Sequence, residues 1–249
     1  MMNDDELLFV MTSFGKLLLE NGAETYRIED STKRIALAYG VKAVDVYAAS
    51  TSIMITIITA KDQSLSRVKR ISNRVTNLDK IECLNRLCRN ICETTPNFIM
   101  VNQSLRAISL RPNYHYLVQV IGYAATASIF TLFFGGSPIE ALCALLIGGT
   151  IKVISYHLNT LKTNPLFITI ICSNAISILT LIFYHLEIIP QIDHIIIGAI
   201  MPLVPGVALT NSIRDLMAGD FVAGQAKLTE AILIATCIAI GIGIPLSMR

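Results

Sequence analysis

Residues 195–213 read IIIGAIMPLVPGVALTNSI, an apolar run with a break in its middle, and this stretch decides the fold class. Extended by one residue to 194–213, it has about the 20 residues that a transmembrane helix needs. Pro202 and Pro205 lack the amide hydrogen that a continuous helix uses, and a residue before a proline is driven away from helical angles. The sequence therefore predicts two half-helices with an opened backbone between them, near the middle of a bilayer.

Such a break has a functional interpretation and a plain one. Opened backbone is tolerated at membrane depth only inside protein or beside a watery cavity. Pro205 suits the first position of the second half-helix, whose free amides would point positive charge at the membrane centre. Transporters use this arrangement to receive anionic groups of a substrate. The alternative is an ordinary proline kink that binds nothing.

Composition divides the chain of 249 residues into two parts. Residues 1–112 hold 15 of the 20 Lys and Arg and 12 of the 18 Asp and Glu, while 53% of the whole chain is hydrophobic. The sequence predicts an α-helical membrane protein, with five transmembrane helices preceded by a small α+β cytosolic domain. The domains are 1–112 and 113–249. The net charge of +2 gives no reason to propose nucleic acid as a partner.

Periodicity within residues 1–112 predicts the elements of the cytosolic domain. Apolar residues between 7 and 18 share one helical face, and Asn21-Gly22 either ends that helix or bends it. A second helix is predicted over 25–39, strands over 43–49, 52–60 and 66–72, and a further helix that begins with Asp79 as its N-cap.

Five apolar spans are predicted in the membrane domain, at about 115–134, 138–157, 166–185, 194–213 and 228–247. Basic residues alternate between the connecting loops, so the positive-inside rule places the N-terminal domain in the cytosol and the C-terminus outside. We therefore expect a multi-pass protein of the inner (plasma) membrane. Small residues predict helix contacts at Ala144 with Gly148 and at Ala235 with Ala239.

Ionisable residues inside spans are costly, and each is a candidate for function. Glu140 lies near the outer end of the second span, where it can simply face water. Lys152 either snorkels to the interface or pairs with an acid such as Asp215 or Glu230, and Glu230 is expected in the first turn of the fifth span. The four histidines fall at span ends, where amphipathic rings settle, so we expect interfacial rings rather than a proton relay.

Enzymatic chemistry finds no support in the motifs. The sequence has no Gly-x-Ser-x-Gly, no His-Glu-x-x-His and no phosphate-binding loop, so neither an enzyme nor a primary pump is predicted. Cys83, Cys88 and Cys92 lack the spacing of a zinc site and are expected to be core thiols. No cofactor or metal is predicted.

Several segments together resemble the threonine/serine exporter family. Residues 22–30 read GAETYRIED, 77–81 read NLDKI, 202–206 read PLVPG and 210–216 read TNSIRDL, in the order of the family. The resemblance implies a secondary exporter of threonine and serine that uses the proton motive force. The chain closely resembles the larger subunit of the split, two-component form. That subunit works with a separate small membrane subunit, and succinate export is also attributed to the pair.

Charge type, depth and resemblance together nominate the site residues. Substrate binding is assigned to Pro202, Pro205, Gly206, Asn211 and Arg214. Coupling or ion pairing is assigned to Asp215, Asp220, Glu230, Lys152 and Glu140. The cytosolic signature residues Gly22, Glu24, Arg27 and Glu29 are expected to be structural or gating. Two alternatives stay open: a succinate or dicarboxylate exporter subunit, and a membrane-anchored sensor or assembly factor with a ligand-binding cytosolic domain. Self-association is also left open.

Overall fold

The computed structural model describes residues 2–72 and 74–248, which form two compact units. The first unit contains the chain through Pro112 and also Val207–Thr229; the second contains Asn113–Gly206 and the chain from Glu230 onward. In chain order the elements are α1 Asp4–Glu20, α2 Thr25–Ala38, β1 Ala43–Ala49, β2 Ser52–Ile58, β3 Ser64–Arg70, α3 Leu78–Thr94, α4 Phe98–Ser109, α5 Tyr116–Phe133, α6 Pro138–Thr160, α7 Pro165–His185, α8 Asp193–Ile200, a 3-10 turn Met201–Leu203, α9 Gly206–Met217 and α10 Phe221–Ser247.

The first unit is built on a three-stranded antiparallel sheet in the order β1-β2-β3. Side chains of a strand alternate between its two faces, so Ile53, Ile55 and Ile57 of the central strand all point into the core and are fully buried. Helix α1 covers them and approaches closely: a Cβ added to Gly15 would lie 2.3 Å from Cδ1 of Ile53. The helix-plus-sheet character predicted for residues 1–112 is thereby present.

Helix α1 ends as its sequence predicts. The cap residue is Asn21, and Gly22 follows with φ of 85°, a left-handed conformation that glycine adopts without strain. The amides of Gly22 and Ala23 donate to carbonyls of the last helical turn. This turn leaves the segment after Gly22 extended and ready to begin α2.

Two local predictions in the first unit were wrong in detail. Helix α3 is capped by Asn77, whose side chain accepts a hydrogen bond from the amide of Lys80, and not by Asp79. The Asp79 carboxylate instead pairs with Arg111, with Nη2 2.9 Å from Oδ1. Strand β3 begins at Ser64, two residues earlier than predicted. Neither error changes the fold class.

The second unit contains most of the apolar helices. Four helices, α5, α6, α7 and α10, are long and apolar enough to cross a membrane. A fifth candidate is the pair Asp193–Leu203 and Gly206–Met217, which is bent by 62° and is either a broken span or a re-entrant loop. The described residues thus give four or five candidate spans. Val204, between the two prolines, has an extended ψ of 128°, as its place before Pro205 predicts.

Glycines allow the helices of the second unit to approach closely. A Cβ on Gly148 of α6 would lie 2.6 Å from the carbonyl oxygen of Tyr123 on α5, and Ala144 one turn away is fully buried. The predicted contact at Ala144 and Gly148 is confirmed. The one at Ala235 and Ala239 was wrong, because both are exposed while Gly241 of α10 packs against α7.

The last helix begins earlier than predicted. Helix α10 starts at Phe221, seven residues before the expected position 228. Glu230 therefore lies in the third turn of this helix and not in its first, so the argument that its carboxylate suits a helix N-terminus was wrong. Lys227 lies within α10 as well, two turns from its start, rather than in a connecting loop.

Candidate functional site

One face of α9 contacts the loop that joins α1 to α2, within the first unit. Asn211, Arg214 and Asp215 lie three and four residues apart, so they share that face. The side-chain amide of Asn211 donates to the carbonyl oxygen of Gly22 at 3.2 Å. Arg214 contacts Glu24, and Asp215 contacts Thr25. We call Gly22–Thr25 the signature loop, and three of its four residues, Gly22, Glu24 and Thr25, contact this face of α9.

The centre of the contact is a buried ion pair. Asp215 is fully buried and Lys227 is 6% exposed, and the lysine Nζ lies 2.6 Å from Oδ2 of Asp215. The hydroxyl of Thr25 donates to the same Oδ2 at 3.1 Å and accepts a hydrogen bond from Lys227 Nζ at 3.3 Å. A buried charge is tolerated when it is paired and hydrogen-bonded, and here both charges are.

Asp215 also supplies the cap that α2 lacks. Glu24, the N-cap residue of α2, makes no side-chain capping bond, and the first turn of α2 contains no acidic residue. Oδ1 of Asp215 instead accepts a hydrogen bond from the backbone amide of Thr25 at 3.3 Å. A carboxylate at this position satisfies a free amide and complements the positive end of the helix dipole. The negative charge thus comes from a residue 190 positions away in the sequence.

A second, more exposed ion pair flanks the buried one. Oε1 of Glu24 lies 2.5 Å from Nη1 of Arg214, and Oε2 lies 3.4 Å from Nε of Arg27. The Glu24 side chain is 12% exposed while Arg214 is 48% exposed. The arginine is therefore accessible to a solute, and its partner is held in place between two guanidinium groups.

Two further carboxyl groups lie close to this cluster. Burial raises the pKa of Glu29, partly offset by the hydrogen bond that Ala48 N donates to its Oε1 at 2.9 Å, and the charges of Asp220 and Asp215 raise it further. Burial and the charge of Asp215 likewise raise the pKa of Asp220, against the opposing effect of Lys227. Both groups therefore hold a proton more tightly than an exposed carboxyl group does.

The start of α10 is tied to the sheet beside this cluster. The hydroxyl of Ser50, in the turn between β1 and β2, donates to the carbonyl oxygen of Ala223 at 3.3 Å. Gly224 of α10 packs against Leu216 of α9, where an added Cβ would meet the side chain at 2.7 Å. The start of α10 thus contacts the turn between β1 and β2 through Ala223 and contacts α9 through Gly224.

Two ionisable residues of the predicted spans, Glu140 and Lys152, lie in the second unit. Glu140 does not face water: it is 2% exposed and closes a capping box with Ser137 at the start of α6. Its Oε2 lies 3.5 Å from Nδ1 of His194. Nζ of Lys152 lies 4.9 Å from the ring centroid of Tyr123, a cation–π arrangement.

The break between α8 and α9 contains both prolines. Pro202 is within the 3-10 turn, Pro205 directly precedes α9, and the amide of Gly206 donates to the carbonyl oxygen of Val204 at 2.8 Å. Glu230 is exposed on α10. Among the described residues no group of three His, Cys, Asp or Glu side chains comes together to hold a metal ion.

The comparisons with known proteins decide the family. The model of a family described as a threonine/serine exporter matches residues 10–248. The chain belongs to the threonine/serine exporter family. In Mycobacterium tuberculosis, a protein called a probable threonine/serine exporter is 22% identical over 243 residues, which are 97% of this chain and 46% of that protein. In Corynebacterium glutamicum, the threonine/serine exporter is 23% identical over 244 residues, 94% of this chain and 49% of that protein.

This member of the threonine/serine exporter family thus spans about half the length of the curated relatives that it matches. No solved structure matches the chain. Membership in a transporter family agrees with the apolar helices and with the membrane and transport functions predicted from the sequence.

Sequence reasoning missed three residues of these clusters. Thr25 was part of the quoted signature, yet no role was assigned to it. Lys227 was counted only as a charge in a loop, because the start of α10 was misplaced. His194 was taken as an interfacial ring. Apart from the signature itself, the sequence carried one usable signal, which is that Asp215 in an apolar chain requires a cation.

Proposed function

We propose that this chain is a subunit of a secondary exporter that moves threonine or serine out of the cell. One observation carries the proposal: the α9 segment directly after the Pro202–Pro205 break is fastened to the signature loop by the buried cluster of Asp215, Lys227 and Thr25. A helix that only anchors a protein in the membrane needs neither an opened backbone nor a buried ion pair behind it. In a family of exporters, such a fastening suits a gate.

The exposed ion pair of Arg214 and Glu24 matches the charges of the substrate. A threonine or serine zwitterion carries one carboxylate and one ammonium group. These are the charge types of Glu24 and Arg214, so each group of the substrate can pair with one of the two residues. Arg214 is half exposed, so a substrate carboxylate can compete with Glu24 for its guanidinium group. We propose that this competition releases α9 from the signature loop, while Asn211 hydrogen-bonds the substrate once it leaves Gly22. Before that release, the hydrogen bonds of Asp215 with Thr25 keep α9 on the signature loop.

Coupling to protons is part of the same proposal. Glu29 and Asp220 have raised pKa values and lie near the charge of Asp215. Protonation of Asp220 removes a negative charge that competes with Asp215 for Lys227. We propose that a proton on this pair of carboxyl groups favours the closed form, so that proton binding and gate closure are linked.

Partner and topology follow from the resemblance to the split form. We propose a separate small membrane subunit as partner, five spans with the broken pair as the fourth, an N-terminal domain in the cytosol and a C-terminus outside. Fusion of GFP to either terminus tests the topology, because GFP fluoresces in the cytosol and not when it is exported unfolded. Strong fluorescence from the C-terminal fusion would contradict five spans.

Efflux measurements test the function. Cells are loaded with a threonine- or serine-containing dipeptide, or with succinate, and external metabolites are followed with this chain alone, with the small subunit alone and with both. Threonine or serine efflux that requires both chains is the expected result. Efflux of succinate only would change the substrate class, and absence of efflux from folded, inserted protein would favour the sensor or assembly function.

Variants of the exposed pair connect efflux to the site. Arg214→Gln is expected to weaken the apparent affinity for internal threonine, because the substrate carboxylate loses its cation. Arg86→Gln is the matched control, since Arg86 also forms an exposed pair, with Glu82, on a helix remote from α9 in sequence. Equal efflux from the two variants would remove Arg214 from the substrate path.

A further inference from the structure

The second unit contains a buried carboxylate–imidazole pair that the function described above does not use. Glu140 is in the first turn of α6 and His194 is in the first turn of α8, with Oε2 and Nδ1 3.5 Å apart. The carboxylate side chain is 3% exposed and the imidazole side chain 28% exposed. Nδ1 of His194 is itself buried and has no hydrogen-bond partner among the described residues.

The protonation of this pair is constrained by what surrounds Nδ1. Oε2 of Glu140 already accepts a hydrogen bond from the amide of Ser137 at 2.6 Å, so the carboxylate is fixed in place. If neither Nδ1 nor the carboxylate carried a proton, the Nδ1 lone pair would face a carboxylate oxygen in a buried site, which is costly. A proton on Nδ1 relieves this, because a positively polarised hydrogen and not a lone pair then lies next to the carboxylate oxygen, 3.5 Å from Nδ1.

The surrounding helices hold the two groups together. Gly136, between α5 and α6, is so close that an added Cβ would lie 3.2 Å from Cβ of His194 and 2.8 Å from the carbonyl oxygen of Thr131. One turn further on α8, a Cβ on Gly198 would lie 2.6 Å from the amide nitrogen of Thr131. These contacts hold the start of α8, and with it the backbone of His194, against the end of α5.

Other titratable groups near the pair are few. On α5 the nearest polar side chain is Thr131, which is not titratable and donates its hydroxyl hydrogen to the carbonyl oxygen of Ala127. Helix α6 contributes Cys143, one turn after Glu140, and α8 contributes Asp193, which is exposed. The loop between α7 and α8 adds the exposed carboxylate of Glu187. The last turn of α7, which packs against α8, adds Tyr184 and the exposed imidazole of His185. The basic group at ion-pair distance from Glu140 is His194, with Nδ1 3.5 Å from Oε2.

The pair lies at one end of the helical bundle. Helix α5 enters the unit at Tyr116 and ends at Phe133, and its 18 residues rise by about 27 Å. The pair adjoins the end of α5, far from the point where the chain enters from Pro112. With the N-terminal domain in the cytosol, as proposed above, this end faces the outside, which is where protons of the proton motive force arrive.

We propose that Glu140 and His194 form a proton-binding site at the outer end of the membrane bundle. In the resting site the neutral imidazole keeps its proton on Nδ1, the nitrogen that lies next to the Glu140 carboxylate. A proton from outside binds at Nε2, the more accessible nitrogen, and gives an imidazolium paired with the carboxylate; loss of that proton from Nε2 restores the resting site. The proposal rests on the proposed export function for its role in coupling, but not for the existence of the site.

The first test measures the proton directly and needs no transport. The full chain is labelled with 15N-histidine and reconstituted in lipid nanodiscs, and His194→Gln assigns the signal. We expect the Nδ1–H tautomer for His194 at neutral pH and a shift toward the Nε2–H tautomer in Glu140→Gln, which keeps the helix cap because glutamine can replace glutamate in a capping box. An Nε2–H tautomer in the wild-type chain, or no change in Glu140→Gln, would overturn the proposal.

The second test separates proton coupling from substrate passage. In vesicles with the small subunit, Glu140→Gln and His194→Gln are expected to lose threonine efflux driven by a proton gradient and to keep threonine–threonine exchange, which moves no net proton. His185→Gln, which changes another histidine at an exposed span end, should keep both activities. Variants that retain gradient-driven efflux would refute the proton site's role. If wild-type vesicles show neither activity, the export function fails instead, and the tautomer measurement still decides on the site.

Discussion

Lys227 and Asp215 form a buried ion pair, with Nζ 2.6 Å from Oδ2, that joins α10 to α9 across twelve positions of the sequence. The same carboxylate caps α2 through Thr25. One side chain thus links the family's signature loop to the segment that follows the proline break. Its removal should affect both stability and gating, and the predictions below begin with it.

Breaking the buried pair on one side should be strongly destabilising. Asp215→Asn leaves Lys227 charged and buried, and Lys227→Met leaves Asp215 in the same state, so each should lower the free energy of unfolding by about 3–5 kcal/mol. The double variant Asp215→Leu with Lys227→Met should cost less than either, because no uncompensated charge stays. Denaturant titrations of the full chain in micelles measure this, and a double variant as damaged as the sum of the singles would contradict it.

The hydroxyl of Thr25 should contribute separately from its methyl group. Thr25→Ala removes a donor to Asp215 and an acceptor for Lys227, and a buried polar group left unsatisfied costs about 1–3 kcal/mol. Thr25→Ser keeps the hydroxyl and should be nearly neutral. Hydrogen exchange at the first turn of α2 is the measurement, and equal exchange in both variants would show that the hydroxyl is not required.

The exposed pair should matter little for stability. Arg214 is half exposed, and ion pairs at a protein surface contribute about 0–1 kcal/mol. Glu24→Gln should therefore leave the melting temperature nearly unchanged while it alters efflux, since the proposed gate loses one of its contacts. A loss of stability as large as that of Asp215→Asn would show that Glu24 is structural.

Glu29 should make stability fall as pH rises. Its pKa in the folded chain is raised above the ordinary value of 4.5, so the folded state binds the proton more tightly than the unfolded state does. The resulting cost is absent below pH 4.5 and grows as pH increases through the raised pKa. Glu29→Gln can still accept the hydrogen bond from Ala48 N, so it should be more stable than wild type near pH 8 and equal to it in acid.

Thermal melting of the full chain across pH checks this expectation. Asp30→Asn is the control, because Asp30 lies on the same helix with an exposed side chain beside Arg34. A gain in stability that is the same for both variants would reflect net charge and not the site of Glu29.

Substitution by alanine should destabilise the chain at Gly198 but not at Gly122. A Cβ on Gly198 would lie 2.1 Å from the hydroxyl and 2.6 Å from the backbone nitrogen of Thr131, so Gly198→Ala must push α8 from α5. Overpacking of this kind costs about 1–3 kcal/mol or more. Gly122 on α5 has nothing within 4 Å, so Gly122→Ala should not destabilise. Melting followed by size exclusion of GFP-fused chains compares the two.

Local patterns predicted those features whose causes lie within a few residues. Apolar periodicity located α1 and α2, the turn at Gly22 followed from its neighbours, and Pro205 predicted the extended backbone at Val204. The N-cap of α3 was predicted wrongly because Asn77 and Asp79 are both side chains that can cap a helix, and local sequence does not show which one does. The start of α10 was misjudged because Phe221 and its neighbours are too polar, on average, to stand out as part of a span.

The sequence by itself determined the family, the division into charged and apolar parts, the break at Pro202–Pro205 and the apolar helices, because composition and short-range periodicity specify them. Only the tertiary structure decided that Asp215 pairs with Lys227 and caps Thr25, and that Glu140 meets His194. Those partners are 12, 190 and 54 positions apart, respectively. A charge in a sequence shows that it needs a partner without showing which one the fold brings within reach.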